Sequence, residues 1–236
     1  MTLAIFGYGP GLGRGVAHRF GRAGFPVAVV GRDAERAAAH VRDLEEHGIR
    51  ARPFTADVTD EQRFPALVEE IENQLGPIRV ALHAAAADMS VRSAATLTTT
   101  TAQLAFPLAL KLYSPMLMAR TLIPRFRDEG TLLFTSGASE QHPAAYLANV
   151  GIALAAQRGY IRQLALELRD TPVNVGLLNI GSLIEGSAAQ RIVDAHPEAI
   201  PPGLELTRIS GAELGEHAWR LHTERELVEL DAGFPA

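Results

Sequence analysis

The chain of 236 residues contains no cysteine. Disulfide bonds and thiolate metal sites are therefore excluded, and the absence agrees with a reducing compartment. A long hydrophobic run is also missing, because the most apolar stretch, residues 104–118, is interrupted by two prolines and a lysine. Such a stretch is too short to span a membrane. The apolar run at the N terminus ends at Phe6 with no basic segment before it, so we expect no signal peptide and a cytoplasmic protein.

Lysine is nearly absent as well. Lys111 is the only one among 22 basic residues, and the others are arginines. A genome-wide preference for arginine is the simplest explanation, but any chemistry that needs a primary amine must still use Lys111. The net charge of −5 is ordinary for a soluble protein and predicts neither a nucleic-acid partner nor a membrane partner.

Strand and helix patterns alternate along the whole chain, and 47% of the residues are hydrophobic, which is enough for a large core. The strand candidates are short, continuous apolar runs, as expected when both faces of a sheet are covered. Alternation of this kind favours a parallel sheet with right-handed crossovers. The sequence therefore predicts the α/β class: one Rossmann-fold domain over residues 1–236, with a doubly wound parallel sheet of six to seven strands and helices on both faces.

Turn and capping residues set the expected boundaries. Asp33 and Asp60 are predicted N-caps, and residues 210–213 have the pattern of a capping box. The expected strands are 3–6, 27–30, 50–55, 78–83, 131–135 and 173–178, with a last short strand at 227–230. The expected helices are 13–24, 34–47, 60–75, 101–127 and 144–169, and another begins at 211.

A glycine-rich loop follows the first strand and opens the first helix. Glycine allows the backbone to turn tightly and to approach a pyrophosphate closely, and the helix start offers free N–H groups and the positive end of a dipole. The loop therefore predicts a dinucleotide site formed by Gly7, Tyr8, Gly9, Pro10, Gly11, Leu12 and Gly13.

The glycine spacing resembles the T-G-x-x-x-G-x-G motif of the short-chain dehydrogenase/reductase family, with Phe6 in place of the threonine. Further segments resemble the family in the same order along the chain: the Asp57-Val58 pair, the end of the long fifth helix at 164–168, and the sixth strand with its turn at 173–181. The resemblance covers essentially the whole chain and implies a bound nicotinamide dinucleotide. It implies that Asp57 holds the adenine amino group and that Val58, His83, Ala84, Ala85 and Gly181 also line the cofactor site.

Arg32 follows the second strand, where an acidic residue would bind the ribose hydroxyls of NAD(H). An arginine there meets a 2′-phosphate bidentately, so NADP(H) is the preferred cofactor and NAD(H) is the alternative. The other interpretation is that Arg32 is an ordinary surface residue and that Asp33 merely caps the next helix.

The family's Asn-Ser-Tyr-Lys tetrad is not conserved in this chain. Aligned without gaps on residues 164–168, the tyrosine position falls on Val150 and the lysine position on Leu154. The serine position falls on Gly137, and Lys111 takes the asparagine position. Valine and leucine do not transfer protons, so the resemblance does not imply the family's usual mechanism.

Three other residues are candidate proton donors: Lys111, Tyr146 and His142. Lys111 would point towards the nicotinamide end of the cleft, and Tyr146 lies one helical turn before Val150. His142 lies in a polar loop and titrates near neutral pH. The alternative interpretations are an exposed helix lysine, a packed or interface tyrosine and a solvated loop histidine.

Two functional hypotheses follow. The first is an oxidoreductase that transfers hydride to or from a small carbonyl or alkene substrate with a non-standard proton donor. The second is a non-catalytic NAD(P)-binding sensor or regulatory subunit. The resemblance further implies a homodimer or homotetramer formed through helices 101–127 and 144–169. We expect residues of about 182–209 to form a substrate lid, and no metal site is expected.

Overall fold

The computed structural model describes residues 1–86, 94–126, 128–199 and 206–234, and strand and helix alternate through them. Most of the strands are rich in apolar or β-branched residues. The strands are β1 (Thr2–Phe6), β2 (Val27–Gly31), β3 (Ala51–Thr55), β4 (Ile78–His83), β5 (Gly130–Gly137), β6 (Val173–Ile180), β7 (Leu183–Ile184), β8 (Arg208–Ile209) and β9 (Glu229–Ala232).

Seven of these strands form one parallel sheet in the order β3-β2-β1-β4-β5-β6-β9. The sheet confirms the predicted doubly wound α/β fold. The strand order reverses between β1 and β4, and ligands of such sheets bind at this reversal, outside the carboxyl ends of the strands. The second sheet consists of β7 and β8 alone and was not predicted.

The α-helices cover both faces of the large sheet and share the predicted order. Asp33 caps α2 by accepting a hydrogen bond from the Arg36 N–H at 3.0 Å, as predicted. Ser210 caps α8 by accepting from the Glu213 N–H at 3.1 Å. The helices are α1 (Leu12–Arg22), α2 (Ala34–Glu46), α3 (Phe64–Leu75), α4 (Thr101–Leu108), α5 (Ser114–Leu122), α6 (Ala148–Glu167), α7 (Ala188–Ala195) and α8 (Gly211–Thr223).

The predicted helix 101–127 is wrong as a single α-helix. A π-helical turn, Ala109–Tyr113, separates α4 from α5, and a 3₁₀ turn ends the segment. The N–H of Ser114 donates to the carbonyl of Ala109, five residues back. Pro115 has no N–H to bond the carbonyl four residues earlier, and a wider turn accommodates that loss. The π turn places Lys111 at its centre.

Two hydrophobic cores lie on opposite faces of the sheet because alternate strand residues point to opposite sides. Phe6 of β1 packs against Phe64 of α3, with ring centroids 4.9 Å apart. Leu3 and Ile5 of the same strand face the other core, where Phe20 of α1 packs. Within the described residues no helix is long and apolar enough to cross a membrane.

Candidate active site

The glycine loop makes a sharp turn at the carboxyl end of β1. Gly7 has φ +90°, a conformation that side chains rarely adopt, and a Cβ added there would collide with Ala85 beyond β4. The N–H groups of Gly7 and Tyr8 both donate to the Val30 carbonyl, at 3.1 and 2.9 Å. The loop therefore lies against β2 and β4, at the reversal of strand order where the cofactor was predicted to bind.

The start of α1 offers donors for a phosphate. The N–H groups of Arg14 and Gly15 return to the carbonyls of Gly9 and Gly11, at 3.0 and 3.1 Å. Within the described residues, the N–H groups of Leu12 and Gly13 have no backbone partner and no side chain caps the helix. Free N–H groups at a helix start are suited to an anion.

The other two glycines of the motif are also constrained by packing. A Cβ on Gly11 would lie 2.6 Å from Ile184 Cγ2 and 2.9 Å from the Glu185 carbonyl oxygen. A Cβ on Gly13 would lie 3.2 Å from the Tyr8 ring. The segment after β6 thus packs directly on the glycine loop, so part of the glycine requirement comes from the protein itself.

Arg32 and Asp57 lie at the carboxyl ends of β2 and β3. Both side chains are exposed, and the Arg32 charge helps to lower the pKa of Asp57. Burial is the largest single effect and raises the pKa of the Asp57 carboxyl. Two hydrogen bonds from Thr59 and the positive charge of Arg32 together outweigh it and lower the pKa below its usual value. The Asp57 carboxylate accepts from the Thr59 N–H at 2.9 Å and from its hydroxyl at 2.7 Å. The positively charged Arg32 and the Asp57 carboxylate, which Thr59 holds in place, therefore lie beside each other at the carboxyl end of the sheet.

His83, the last residue of β4, is fully buried and belongs to a hydrogen-bonded chain. Its Nε2 lies 2.8 Å from Ser114 Oγ, and Ser114 donates to the Val58 carbonyl at 2.8 Å. Because the serine proton goes to a carbonyl, Nε2 must carry the hydrogen of the histidine. Nδ1 then keeps a lone pair, and within the described residues it has no partner.

The electrostatics keep His83 neutral. Burial lowers its pKa to about 3, and the charge of Lys111 contributes. Burial also lowers the pKa of Lys111 from 10.5 to about 8. The lysine is half-buried, and within the described residues it has no ion-pair partner. Lys111 is thus only partly exposed, and its charge acts on His83 at the end of β4, while its role as a proton donor stays a prediction.

Apolar atoms lie where the end of β5 meets α6. A Cβ added to Gly137, at the end of β5, would lie 3.6 Å from Leu154 Cδ1 on α6. Leu154 is buried, and Val150 lies one turn earlier on the same helix. The structure thus brings Gly137 and Leu154 together, while their equivalence to the family's serine and lysine positions stays a prediction of the gap-free alignment.

Comparison with known proteins places this geometry in a family. A family model described as enoyl-(acyl carrier protein) reductase matches residues 7–198. The chain belongs to the short-chain dehydrogenase/reductase family.

Curated relatives are similar to this chain over part of their length. A 3β-hydroxysteroid dehydrogenase of Mediterraneibacter gnavus is 36% identical over 81 residues, which are 34% of this chain and 29% of that protein. A short-chain dehydrogenase of Pseudocercospora fijiensis is 25% identical over 77% of this chain and 59% of its own. A 3-oxoacyl-[acyl-carrier-protein] reductase of Mus musculus is 26% identical over 75% of this chain and 73% of its own. The chain thus spans less than two thirds of the length of the first two of these relatives.

Solved structures share the fold at low identity. A metagenomic short-chain oxidoreductase in complex with NADP has a TM-score of 0.79 at 20% identity, covering 98% of this chain and 96% of that one. A 7α-hydroxysteroid dehydrogenase complexed with NADH and 7-oxo glycochenodeoxycholic acid has a TM-score of 0.83 at 19% identity, covering 98% and 92%. At these identities the likenesses show that the chain shares the fold of these structures.

The other two predicted proton donors, His142 and Tyr146, lie in surroundings that differ from those of Lys111. His142 is exposed, and its ring lies against Phe234, with centroids 5.6 Å apart. The backbone of Tyr146 belongs to a 3₁₀ turn before α6, while its side chain lies outside the described part of the structure. The roles predicted for both remain predictions.

The segment after β6 contains the last predicted cofactor residue. The N–H of Gly181 donates to the Ala232 carbonyl at 2.8 Å, and a Cβ there would lie 2.6 Å from the Phe234 ring. The predicted lid, 182–209, includes the β7–β8 pair and α7, whereas residues 200–205 of it fall outside the described structure. Its function as a lid stays a prediction.

Sequence reasoning missed three polar side chains near the carboxyl ends of β5 and β6 and on α6. Ser136 and Asn179 are register partners in the two strands, and each has a buried side-chain oxygen without a partner in the described structure. Gln157 lies one turn after Leu154, is fully buried and has neither amide atom paired there. Polar residues at strand ends were the available signal for the first two, while Gln157 looked like any helix glutamine.

Proposed function

We propose that the protein is an NADP(H)-dependent oxidoreductase that transfers hydride to or from a small carbonyl or alkene substrate, with Lys111 as the proton donor. One observation carries the proposal. The chain's only lysine lies half-buried in a π turn beside neutral His83, with its pKa lowered to about 8. A general acid is most effective when its pKa lies near the working pH.

The described residues fit a nicotinamide dinucleotide. The tight turn at Gly7 and the free N–H groups of Leu12 and Gly13 suit the pyrophosphate. Arg32 suits a 2′-phosphate, and the Asp57 carboxylate suits the adenine amino group. The bound cofactor supplies or accepts the hydride. A neighbour of the same fold that was solved with NADP supports this choice.

Lys111 would hold the proton at Nζ and deliver it to the developing oxyanion or carbanion of the substrate. His83 stays neutral next to it, so the ammonium is the cation on this side of the site. The hydrogen bonds of Ser114 to His83 and to the Val58 carbonyl fix the imidazole on which the lysine charge acts. Tyr146 and His142 are the alternative donors, and Tyr146→Phe and His142→Gln test them in the same assay.

The test is NADPH oxidation over a panel of small ketones, aldehydes and enones with the wild type, Lys111→Met and Lys111→Arg. We expect turnover by the wild type and a loss of at least 100-fold in kcat for Lys111→Met, since general acids contribute about 10²–10⁴-fold. NADPH affinity should change little. Full turnover by Lys111→Met would remove the lysine from the mechanism.

The contact between Gly137 and Leu154 favours a second candidate, a non-catalytic NAD(P)-binding sensor or regulatory subunit. Gly137 and Leu154 meet at the positions that the gap-free alignment assigns to the family's serine and lysine. Such a protein would bind NADPH, detected by fluorescence titration, and would turn over no substrate of the panel. Absence of NADPH and NADH binding below millimolar concentration would contradict both candidates.

We also propose a homodimer or homotetramer. Four exposed large hydrophobic residues lie on the helical segments named for the interface, and burying them in a partner stabilises an oligomer. They are Phe106, Tyr113, Ile152 and Leu166. Light scattering of the wild type and of Ile152→Glu tests this assembly, and we expect the variant to dissociate.

A further inference from the structure

A cluster of metal-ligating side chains lies between α1 and α2, on elements that carry no proposed catalytic residue. His18 belongs to α1, Asp43 to α2, and His47 follows α2 directly. One ligand atom from each of the three lies within 4.8 Å of the others. We propose that His18, Asp43 and His47 bind a divalent transition-metal ion of the zinc type.

His18 is the buried ligand of this site. Its residue is 9% exposed, and within the described residues its Nε2 makes no hydrogen bond. That nitrogen lies 3.6 Å from Asp43 Oδ2. A buried imidazole nitrogen without a partner is costly, and a metal ion placed between it and the carboxylate would satisfy it.

His47 is already held in the tautomer that a metal requires. Its Nδ1 lies 2.7 Å from the Asp43 carbonyl oxygen, which only accepts, so Nδ1 carries the hydrogen. Nε2 therefore keeps its lone pair. Metal-binding histidines commonly donate their other N–H in this way, which fixes the ring. The rings of His18 and His47 meet edge to face, with centroids 4.7 Å apart.

The donor set selects the kind of ion. Two imidazole nitrogens and one carboxylate suit zinc, nickel or copper, whereas calcium and magnesium prefer oxygen ligands. Three protein ligands leave one tetrahedral position for water.

Arg14 competes with the metal for Asp43. Its guanidinium contacts both carboxylate oxygens, Nε at 2.7 Å and Nη2 at 3.0 Å. A divalent ion must share or displace this arginine, whose side chain is 44% exposed and free to turn outward. Removing the positive charge should therefore strengthen metal binding, which a merely structural ion pair would not predict.

The metal site would link α1 and α2, the two helices that follow the glycine loop and Arg32. The glycine loop leads into α1, and Arg32 is separated from the first residue of α2 only by the N-cap Asp33. A metal clip between the helices stabilises the folded chain by mass action, since the unfolded chain does not hold the three ligands together.

The experiment is calorimetric titration of tag-free, chelator-treated protein with Zn²⁺ alone, and with Mg²⁺ and Ca²⁺ for comparison. We expect one Zn²⁺ per chain, no binding of the other two ions, and a higher Tm with Zn²⁺. His47→Gln changes an exposed residue and should weaken binding at least tenfold without unfolding the protein. Arg14→Gln should tighten it, and His196→Gln, an exposed histidine elsewhere, should leave it unchanged.

Cobalt substitution gives an independent readout, because tetrahedral Co²⁺ with nitrogen ligands has visible absorption bands that His18→Ala should abolish. If His18→Ala unfolds, His47→Gln alone decides the matter. Absence of stoichiometric Zn²⁺ binding, or equal binding by His47→Gln and the wild type, would overturn the proposal.

Discussion

The Nε2 of His83 lies 2.8 Å from the Oγ of Ser114, and the two residues are 31 positions apart in the chain. Ser114 is the first residue of α5, directly after the π turn that carries Lys111. The hydrogen bond therefore ties the end of β4 to the place where the helix widens. It fixes both the histidine ring and the start of the segment that presents the lysine.

Ser114→Ala should destabilise the fold by about 1–3 kcal/mol, because it leaves the buried Nε2–H of His83 without an acceptor. Urea denaturation of the wild type and the variant measures the difference in free energy of unfolding. The exposed Thr98→Ala is the control and should stay within about 0.5 kcal/mol. If Ser114→Ala had the same free energy of unfolding as the wild type, the His83 N–H would have another hydrogen-bond acceptor.

The rate of substrate reduction should fall as pH rises through about 8. Lys111 delivers its proton only as the ammonium form, and burial lowers its pKa from 10.5 to about 8. Above that pH, kcat should drop about tenfold per unit, while oxidation of the alcohol, which needs the neutral amine, should rise. The measurement is kcat in both directions from pH 6 to 10.

Lys111→Arg is the matched variant for this profile. A guanidinium keeps the charge but stays protonated over the whole range. Its residual reduction should show no fall near pH 8. A wild-type profile that is flat across that pH, or one that Lys111→Arg reproduces, would exclude Lys111 as the acid.

The fold was readable from the sequence because the signals were local. Continuous apolar runs marked the buried strands, and Asp33 marked a cap that the structure confirms. The sequence predicts less well that the expected helix 101–127 is divided into α4, a π turn and α5. Pro107 and Pro115 indicate a kink, but the formation of a π turn between them depends on the packing of α4 and α6. That turn decides where Lys111 points.

Of the candidate site, only the cofactor-binding part could be predicted from the sequence. A glycine loop is a sequence motif, whereas the contact of His83 with Ser114 joins residues on separate elements and exists only after folding. The same holds for the cluster of His18 and His47, which lie 29 positions apart by their numbers. The gap-free alignment predicts the loss of the tetrad from the sequence, whereas the partial burial of Lys111 follows from no sequence pattern.

Arg32→Glu should weaken NADPH binding roughly tenfold or more and should strengthen NADH binding, because an acidic residue there binds the ribose hydroxyls. An arginine bound to a 2′-phosphate contributes a charge-assisted hydrogen bond of about 1.5–3 kcal/mol, and a carboxylate there repels the phosphate. Fluorescence titration of both cofactors measures the two affinities. Arg169→Glu changes the charge equally at the exposed end of α6, which precedes the amino end of β6 and should have no effect.

Gly15→Ala should destabilise the protein by about 3 kcal/mol, although alanine is the better helix former. A Cβ on Gly15 would overlap the Gly211 carbonyl at the start of α8, and Gly215 approaches the Gly15 carbonyl in the same way. The two helices must therefore separate to admit one methyl group. Thermal and urea unfolding measure the loss. Ala39→Gly, on the exposed face of α2, is the control for helix propensity and should cost about 1 kcal/mol. If Gly15→Ala were instead stabilised by that amount, the close crossing of α1 and α8 would not exist in solution.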